Sequence, residues 1–487
     1  MLRPLVFVTG YLSFVYGIEV IRNQGDIYVV NKRLAPDGKY RDTVAAGINA
    51  DTANTPGPLI TGNKGDKFSL NVIDELVDTS LSTSTSIHWH GLFQHTTNWA
   101  DGPSGVNQCP IVANNSFKYE FQVPDQAGTF WWHSHFRTQY CDGLRGPFIV
   151  YDSEDPHADL YDIDDENTII TLADWFHIST NTLVMTPGAP RSNSTLINGV
   201  GRYPYGPNVP LSVINVEQYK RYRMRLISMS CDSNFMFSID GHDMTIIEAD
   251  GVSTKPVTVN ALQIFAAQRY SFVLNANQPI DNYRIRAQPP NATSNSVGFK
   301  DGINSAILRY KGANDSAPGG HYPGGANYTL NLTLGFQVGE KGMAEFLMNG
   351  TQFVPPNVPA QDLLPTGSVY GLPLNQTIEI NLFGNGAPGG PHPFHLHGHT
   401  FDVVKGFDMS EPNYKNPVRR DTTPVNGNNV TTIRFRTDNP GPWFLHCHID
   451  FHLELGLAVV LAEDIPDIKY VNPVPEEWYK LCEDVLN

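Results

Sequence analysis

The segment "GPWFLHCHIDFH", residues 441–452, places Cys447 between His446 and His448 and adds His452 four positions further on. Thiolates and imidazoles are the side chains that bind borderline and soft transition metals. In an extended strand successive side chains point to opposite faces, so the two flanking histidines would share one face and the cysteine would take the other. Since one metal ion could not be reached by all three, the segment predicts two neighbouring metal sites joined by a few covalent bonds.

The H-x-H pattern occurs four times, twice towards the beginning of the chain and twice towards its end. The four pairs are His88/His90, His133/His135, His395/His397 and His446/His448. A single pair would more often be a surface or core feature, but four pairs among 16 histidines favour metal binding. Both histidines of such a pair share a face of a strand. We therefore predict a multinuclear metal site between the first and last parts of the chain.

The second predicted site combines Cys447 and His452 with one more imidazole, for which His392 is available in "GPHPFHLHGH". One cysteine and two histidines form the trigonal ligand set of a blue electron-transfer copper, whose potential is tuned by a weak axial group. The axial candidate is Leu457, which cannot coordinate, so we expect a stabilised Cu(I) state and a raised potential. Ordinary core packing of Leu457 is the alternative and is compatible with this role.

Length and composition favour a β-rich protein of several domains. The 487 residues suffice for about three domains, and 42 glycines, 36 prolines and 17% charged residues favour β-structure over helix. Alternating apolar runs such as "RYRMRLIS" (221–228) and "TIEINLF" (377–383) are separated by turn signals. Many short strands of this kind predict β-sandwiches or barrels. Breaks near 151–162 and 312–327 divide the chain into three units.

The N-terminal residues and the charge indicate an exported, acidic protein. Residues 1–17 have a basic start and an apolar run too short to span a bilayer, as in a signal peptide. No later stretch is apolar enough for a membrane helix, and several N-x-S/T sequons also favour export. A net charge of −16 argues against nucleic acid as a partner. Five cysteines leave one over after two disulfides, and Cys447 is the obvious one.

The four histidine motifs, in this order and spacing, resemble those of the multicopper oxidases, and specifically of the secreted fungal laccases. The resemblance extends to "NWADGP", "QYCDGLRGPF" and "TDNPGPWFLHCHIDFH" and covers the chain from about residue 26. It implies an all-β fold of three consecutive cupredoxin-like Greek-key β-sandwich domains. The corresponding division is a signal peptide at 1–17 followed by domains at 18–155, 156–315 and 316–487.

The resemblance also implies a ligand set for about four copper ions per chain: one type 1, one type 2 and two type 3. The positions that match the type 2 ligands are His88 and His395. Those that match the type 3 ligands are His90, His133, His135, His397, His446 and His448. Those that match the type 1 ligands are His392, Cys447 and His452, with Leu457 at the axial position. The implied disulfides are Cys109–Cys482 and Cys141–Cys231.

Three carboxylates match positions that the family uses near its copper sites. Reduction of O2 to water needs protons as well as electrons, and Asp101 and Asp450 match carboxylates near the trinuclear cluster. Either could instead be a turn residue or one that holds a ligand in place. Asp232 matches a carboxylate beside the substrate, where it would accept a phenolic proton as the electron leaves through His452. A solvated loop acid is the alternative, and His399 is expected to be a core histidine rather than a ligand.

The predicted function is that of a secreted, extracellular laccase whose partners are small phenolic or aromatic amine substrates and O2. Neither a nucleic acid nor a membrane is expected as a partner, and a monomer is expected. A ferroxidase of the same family and a catalytically impaired copper-binding glycoprotein are the alternatives. The region between Tyr310 and Gln361 is shorter than expected for the family, which puts full copper loading in question.

Overall fold

Short strands make up most of the chain in the computed structural model. It describes residues 18–186, 190–289, 298–315, 334–338, 344–349, 351–355, 368–414, 417–427 and 429–486. The predicted signal peptide at 1–17 and much of the shortened region between Tyr310 and Gln361 lie outside the described residues. No helix among the described residues is long and apolar enough to cross a membrane.

The first unit is a pair of facing sheets. Its strands are β1 (Val20–Ile21), β2 (Gln24–Leu34), β3 (Arg41–Gly47), β4 (Leu59–Asn63), β5 (Lys67–Glu75), β6 (Ile87–His90), β7 (Ser116–Gln122), β8 (Gly128–Ser134) and β9 (Arg145–Tyr151). They form the sheets β1-β4-β9-β8-β6 and β3-β2-β5-β7. In β5 and β7 buried residues alternate with more exposed ones, since one face packs in the core and the other meets solvent. In β8 every residue is buried, so both of its faces are covered.

The middle unit also has two sheets, and it places no histidine motif in either. Its elements are β10 (Ile169–Trp175), α1 (Thr180–Val184), β11 (Ser194–Ile197), β12 (Val200–Arg202), β13 (Val213–Val216), β14 (Arg221–Ser228), β15 (Phe235–Ile239), β16 (Met244–Ala249), β17 (Val252–Val259), β18 (Leu262–Ile264), β19 (Arg269–Asn275), β20 (Asn282–Gln288) and β21 (Ser305–Tyr310). The sheet orders are β12-β11-β10-β14-β19-β16-β17 and β13-β21-β20-β15-β18. Phe237, Phe272 and Leu274 lie in the core between them.

The last unit adds a hairpin, two sheets and the C-terminal helices. Its elements are β22 (Leu334–Val338), β23 (Ala344–Met348), β24 (Val369–Leu372), β25 (Thr377–Phe383), β26 (His392–Leu396), β27 (Phe401–Lys405), β28 (Val418–Arg420), β29 (Thr422–Val425), β30 (Val430–Arg436), β31 (Gly441–Cys447), α2 (Asp450–Glu454), β32 (Ala458–Glu463), α3 (Ile468–Val471) and α4 (Glu476–Leu486). The hairpin is β22-β23, and the sheets are β24-β32-β31-β26-β29 and β25-β30-β27-β28.

Apolar packing and disulfides join the three units. One buried cluster contains Trp131 of the first unit, Ile227 of the middle unit and Phe394 of the last. Disulfides connect Cys109 to Cys482 in α4 and Cys141 to Cys231 in the middle unit. These are the pairings that the resemblance implies. The all-β prediction is confirmed, whereas the exact domain boundaries stay a prediction.

Candidate metal centre

Strand pairing brings the histidine motifs together two by two. In the first unit β6 and β8 are antiparallel neighbours, with His88 opposite His133. In the last unit β26 and β31 are antiparallel neighbours, with His395 opposite His446. Each motif begins in its strand, and in three of the four motifs its second histidine lies just beyond the strand end, where the chain can turn towards the other unit. The motifs therefore meet across the junction of the first and last units.

Eight imidazoles converge at this junction in overlapping groups of three. Within each group the potential ligand atoms lie within 4.8 Å of one another. The groups are His88, His90 and His395; His90, His133 and His448; and His135, His397 and His446. Each group combines histidines of the first and last units, so neither unit holds a complete site alone. We refer to the eight residues as the histidine cluster.

The hydrogen bonds of the histidine cluster leave nitrogen atoms free for a metal. The Nδ1 atoms of His88, His133 and His395 each bond a backbone carbonyl, at 2.8, 2.8 and 3.0 Å. The Nε2 atoms of the same three residues are buried and have no hydrogen-bond partner. A ring held through one nitrogen, with the other unpaired and aimed at a cluster, is the arrangement of metal-ligating histidines. These residues therefore fit bound copper.

Burial keeps these imidazoles in the form that can ligate. Desolvation, followed by repulsion from neighbouring histidines, lowers the pKa of His133 and that of His395 well below the usual value. The rings are therefore neutral at physiological pH. Neutral imidazole is the form that binds a metal ion.

The second site is a small triangle of donor atoms. The Sγ atom of Cys447 lies 3.8 Å from Nδ1 of His392 and 3.7 Å from Nδ1 of His452, and these two nitrogens are 3.0 Å apart. Burial lowers the pKa of His392 to about 4, which keeps its ring neutral. Burial raises the pKa of the Cys447 thiol, so a bound metal ion has to displace its proton.

Leu457 lies beside this triangle rather than in it. Its side chain is fully buried, in the same apolar cluster as Cys447. Its carbonyl accepts the backbone N–H of Cys447 at 3.1 Å, and its own N–H donates to the carbonyl of His452 at 2.9 Å. The residue therefore fixes the backbone of two of the three donors while offering no ligand atom.

Cys447 connects the triangle with the histidine cluster. Its neighbours His446 and His448 enter two different groups of the cluster, the first with His135 and the second with His133. The prediction from the opening segment, that the cysteine serves one site and its neighbours another, agrees with this geometry. The two sites are thereby joined by the backbone of three consecutive residues.

Two of the predicted carboxylates are buried near these ligands. Asp101 is fully buried, and its Oδ2 atom accepts a hydrogen bond from Nδ1 of His397 at 2.8 Å. Desolvation raises its pKa. Asp450 begins α2, and burial raises its pKa well above the usual range. Both groups can therefore hold a proton at a higher pH than an exposed aspartate does.

Asp232 lies where the middle and last units meet. The N–H of Asp450 donates to the carbonyl of Cys231 at 3.0 Å, so the loop of Asp232 lies next to α2, which contains His452. Asp232 is half-buried. This burial, together with the nearby charge of Asp174, raises its pKa to about 7.

Other residues near the ligands were not found from the sequence. Tyr140 donates from its hydroxyl to the carbonyl of His448 at 3.2 Å, and Phe346 lies with its ring 4.3 Å from that of His452. Asp421 accepts the Nδ1–H of His395 through its backbone carbonyl. None of the three belongs to a metal-binding pattern, so only the folded chain reveals them. His399 is buried, and its Nε2 atom lies 3.1 Å from Oε2 of Glu463.

Comparison with known proteins agrees with this geometry. Patterns of the multicopper oxidase family match residues 29–155, 166–313 and 336–467. The chain therefore belongs to the multicopper oxidase family, and copper is its cofactor.

Within that family the similar proteins include fungal laccases. A laccase from Trametes villosa is 54% identical over 94% of this chain and 93% of its own length. A laccase from Pycnoporus cinnabarinus is also 54% identical, with the same coverage of both chains. The solved laccase of Botrytis aclada has a TM-score of 0.80 at 28% identity and covers 96% of this chain and 92% of its own. Fet3p, described as a multicopper oxidase that functions in iron import, has a TM-score of 0.82 at 26% identity and covers 95% of each chain. The predicted family and its three cupredoxin-like domains are confirmed.

Proposed function

We propose that this chain is a laccase, which oxidises small phenols or aromatic amines by one electron at a time and reduces O2 to water. The observation that carries the proposal is the link through Cys447 between a triangle of one cysteine with two histidines and a cluster of eight imidazoles. The chemistry that bound copper supplies is the transfer of single electrons from the substrate to O2.

The ligand assignment follows the geometry described above and belongs to the same proposal. The type 1 copper would be held by His392, Cys447 and His452. The type 2 copper would be held by His88 and His395. The type 3 pair would be held by His90, His133, His135, His397, His446 and His448.

His452 provides the edge at which a substrate would deliver its electron. Its Nδ1 atom belongs to the triangle, so its Nε2 atom points the other way, towards Gly389. A Cβ atom at Gly389 would lie 2.8 Å from that nitrogen, so the glycine places no side chain against this edge of the imidazole. The ring of Phe346 packs against the ring of His452 with their centroids 4.3 Å apart, so an apolar side chain lies next to this imidazole.

The carboxylates would accept protons from the substrate and supply protons for the reduction of O2. Asp232, on the loop next to the helix α2 that contains His452, would accept the phenolic proton. Asp101 and Asp450, both buried with raised pKa, would supply protons where O2 is reduced. Secretion, the division into domains at 18–155, 156–315 and 316–487, and a monomeric state complete the proposal.

The experiment that tests this function measures oxygen consumption with a dimethoxyphenol and, separately, with Fe²⁺. A laccase consumes O2 readily with the phenol, and the Cys447→Ser variant abolishes the activity. Preference for Fe²⁺ would instead favour a ferroxidase, the alternative suggested by the similarity to Fet3p. A copper-loaded wild-type protein inactive with both would indicate the impaired glycoprotein.

A further inference from the structure

One arginine of the middle unit reaches the junction where the other two units hold the histidine cluster. Arg269, the first residue of β19, is fully buried. Its Nη1 and Nη2 atoms donate to the two carboxylate oxygens of Asp421 at 3.0 and 2.9 Å. Its Nε atom donates to the carbonyl of Thr129 in β8 at 3.0 Å. The guanidinium thus bonds one segment of the last unit and one of the first.

Asp421 in turn contacts imidazoles that come from both of those units. Its backbone carbonyl accepts the Nδ1–H of His395 at 3.0 Å. Its Oδ1 atom lies 3.7 Å from Nε2 of His90 and 3.7 Å from Nδ1 of His395. Carbonyl and carboxylate groups placed against the nitrogen that does not ligate fix the ring orientation of metal-binding histidines. The position of Asp421 therefore bears on two members of the group His88, His90 and His395.

The guanidinium also lies against the turn that follows His90. A Cβ atom on Gly91 would clash with Nη2 of Arg269 and come within 3.0 Å of the Asp421 carboxylate. Gly91 has a φ of +93°, a conformation that L side chains rarely adopt. The turn, the guanidinium and the carboxylate are thus packed without room for a side chain between them.

A second ion pair holds the residues that flank Asp421. Asp250 of the middle unit accepts from Nε of Arg420 at 2.8 Å and from the backbone N–H of Thr422 at 3.3 Å. The residues on both sides of Asp421 are therefore held as well. Asp250 also accepts the backbone N–H of Arg269 at 2.8 Å, which ties the two ion pairs together.

Stability alone is a weak reason for such an arrangement. Burying two charges costs desolvation free energy, and well-packed apolar residues in place of a buried ion pair are often as stabilising or more so. What the two parallel bonds of a guanidinium–carboxylate pair add is a defined orientation. Here the orientation is imposed on the residue that contacts two copper-binding histidines.

We propose that Arg269 is a positioning residue for the histidine cluster: through Asp421 it fixes the rings of His90 and His395 and thereby strengthens copper binding there. The middle unit, which places no side chain in the ligand groups of the described residues, would act on the copper site in this way. The proposal rests on the assignment of these histidines as copper ligands.

The test compares Arg269→Lys with Arg225→Lys. Lysine keeps the charge but is a single point donor, so it cannot bond both oxygens of Asp421 and the Thr129 carbonyl together. Arg225 is an apt control because it is equally buried and bonds both oxygens of Asp164, as well as the hydroxyl of Thr129. It lies on β14, next to β19. Among the described residues, no hydrogen-bond partner of Arg225 contacts the histidine cluster through a carboxylate.

The purified secreted proteins are titrated with a copper chelator while bound copper and the type 2 electron paramagnetic resonance signal are recorded. We expect Arg269→Lys to release cluster copper at about 10- to 100-fold lower chelator activity than wild type and to alter the type 2 signal. Its blue absorption should be unchanged, since the Cys447 triangle is separate. Arg225→Lys should resemble wild type in all three measurements.

Wild-type behaviour of Arg269→Lys, or an equal loss in Arg225→Lys, would overturn the positioning role. If Arg269→Lys is not secreted, Asp421→Asn replaces it, because that change keeps the backbone carbonyl and the side-chain shape but removes the charge that the guanidinium needs. An unchanged type 2 signal in Asp421→Asn would also contradict the positioning role. A wild-type protein that binds no copper would overturn the copper assignment itself. A blue wild-type protein with an unaffected Arg269→Lys variant would overturn only the positioning role of Arg269.

Discussion

At the scale of single residues, the charge of Asp174 helps to raise the pKa of Asp232. Both carboxylate oxygens of Asp174 are engaged by backbone N–H groups, from Cys231 at 2.8 Å and from Asp232 and Ser233 at 2.9 Å each. The charge that holds this turn also repels the charge of Asp232, which adds to the effect of burial on its pKa. The turn thus presents a carboxylate that takes up a proton more readily than a solvated one.

Replacing Asp232 by asparagine should slow the oxidation of phenols by about 100-fold in kcat/KM, because no group then accepts the phenolic proton. In the wild type this assistance grows as the pH rises through about 7, the pKa of Asp232. It fades as the phenol itself ionises near about pH 10. Steady-state rates across pH check the prediction, with a one-electron donor that loses no proton as the control. Equal losses with both substrates would contradict it.

Asp74 is expected to make the protein less stable as the pH rises. Burial raises its pKa from 3.8 to about 7, and its Oδ2 atom has no hydrogen-bond partner. The folded state therefore binds the proton more tightly, and this stabilisation is complete below about pH 4 and lost as the pH rises through about 7. Between about pH 4 and pH 7 the free energy of unfolding of the wild type should fall by at most about 4 kcal/mol, whereas that of Asp74→Asn should not fall in this way. Parallel Tm profiles of the two proteins between these pH values would contradict the account.

Leu457→Met should lower the reduction potential of the type 1 copper by tens of millivolts. A thioether at the axial position donates electron density, which favours Cu(II) over Cu(I). Leucine and methionine have similar volumes, so the buried site should accommodate the change at a cost below about 1.5 kcal/mol. Redox titration of the blue absorption measures the effect. A potential that stays the same or rises would show that residue 457 does not face the copper.

At the scale of elements, α4 closes the chain onto the first unit. Trp478 is buried in the core of the first unit and donates from its indole nitrogen to the carbonyl of Asn107 at 2.7 Å. The Cys109–Cys482 disulfide lies one turn further along the helix. The helix spans Glu476–Leu486, so both residues that tie it to the first unit lie on it.

Trp478→Ala should therefore reduce stability by about 3–5 kcal/mol, since it removes a large buried aromatic side chain. The copper sites lie elsewhere, so the blue absorption should persist. Tyr479→Ala is the matched control, because its side chain is adjacent on the same helix and 54% exposed. Thermal unfolding followed by circular dichroism compares the variants. Similar Tm values for the two alanine variants would contradict the proposed docking of α4.

The histidine motifs could be predicted from local sequence, whereas the residues that contact them could not. An H-x-H pair reveals its shared face through the two-residue period of a strand, so the members of the histidine cluster follow from the sequence. Asp421 and Phe346 approach the ligands only because distant strands meet, and nothing in their local sequence marks them. Arg269 is still less visible, since its role depends on the packing of three units.

At the scale of the whole molecule, the site belongs to the junction between units rather than to any one of them. Strand patterns, turn residues and the resemblance of the motifs were enough to predict the class of fold and its three units. The relative placement of the units depends on buried ion pairs such as Arg420–Asp250 and on the shared apolar cluster. Such pairs join residues far apart in the chain, and a single sequence does not reveal which charges will meet.

The most direct test of the account is to count bound copper and record the absorption spectrum of purified wild-type protein and of Cys447→Ser. We predict about four copper ions per wild-type chain together with the intense blue cysteine-to-copper absorption. Cys447→Ser should lose the blue absorption and one copper ion and keep the copper of the histidine cluster. A colourless wild-type protein, or a variant that stays blue, would contradict the assignment of Cys447 to one copper beside a separate cluster.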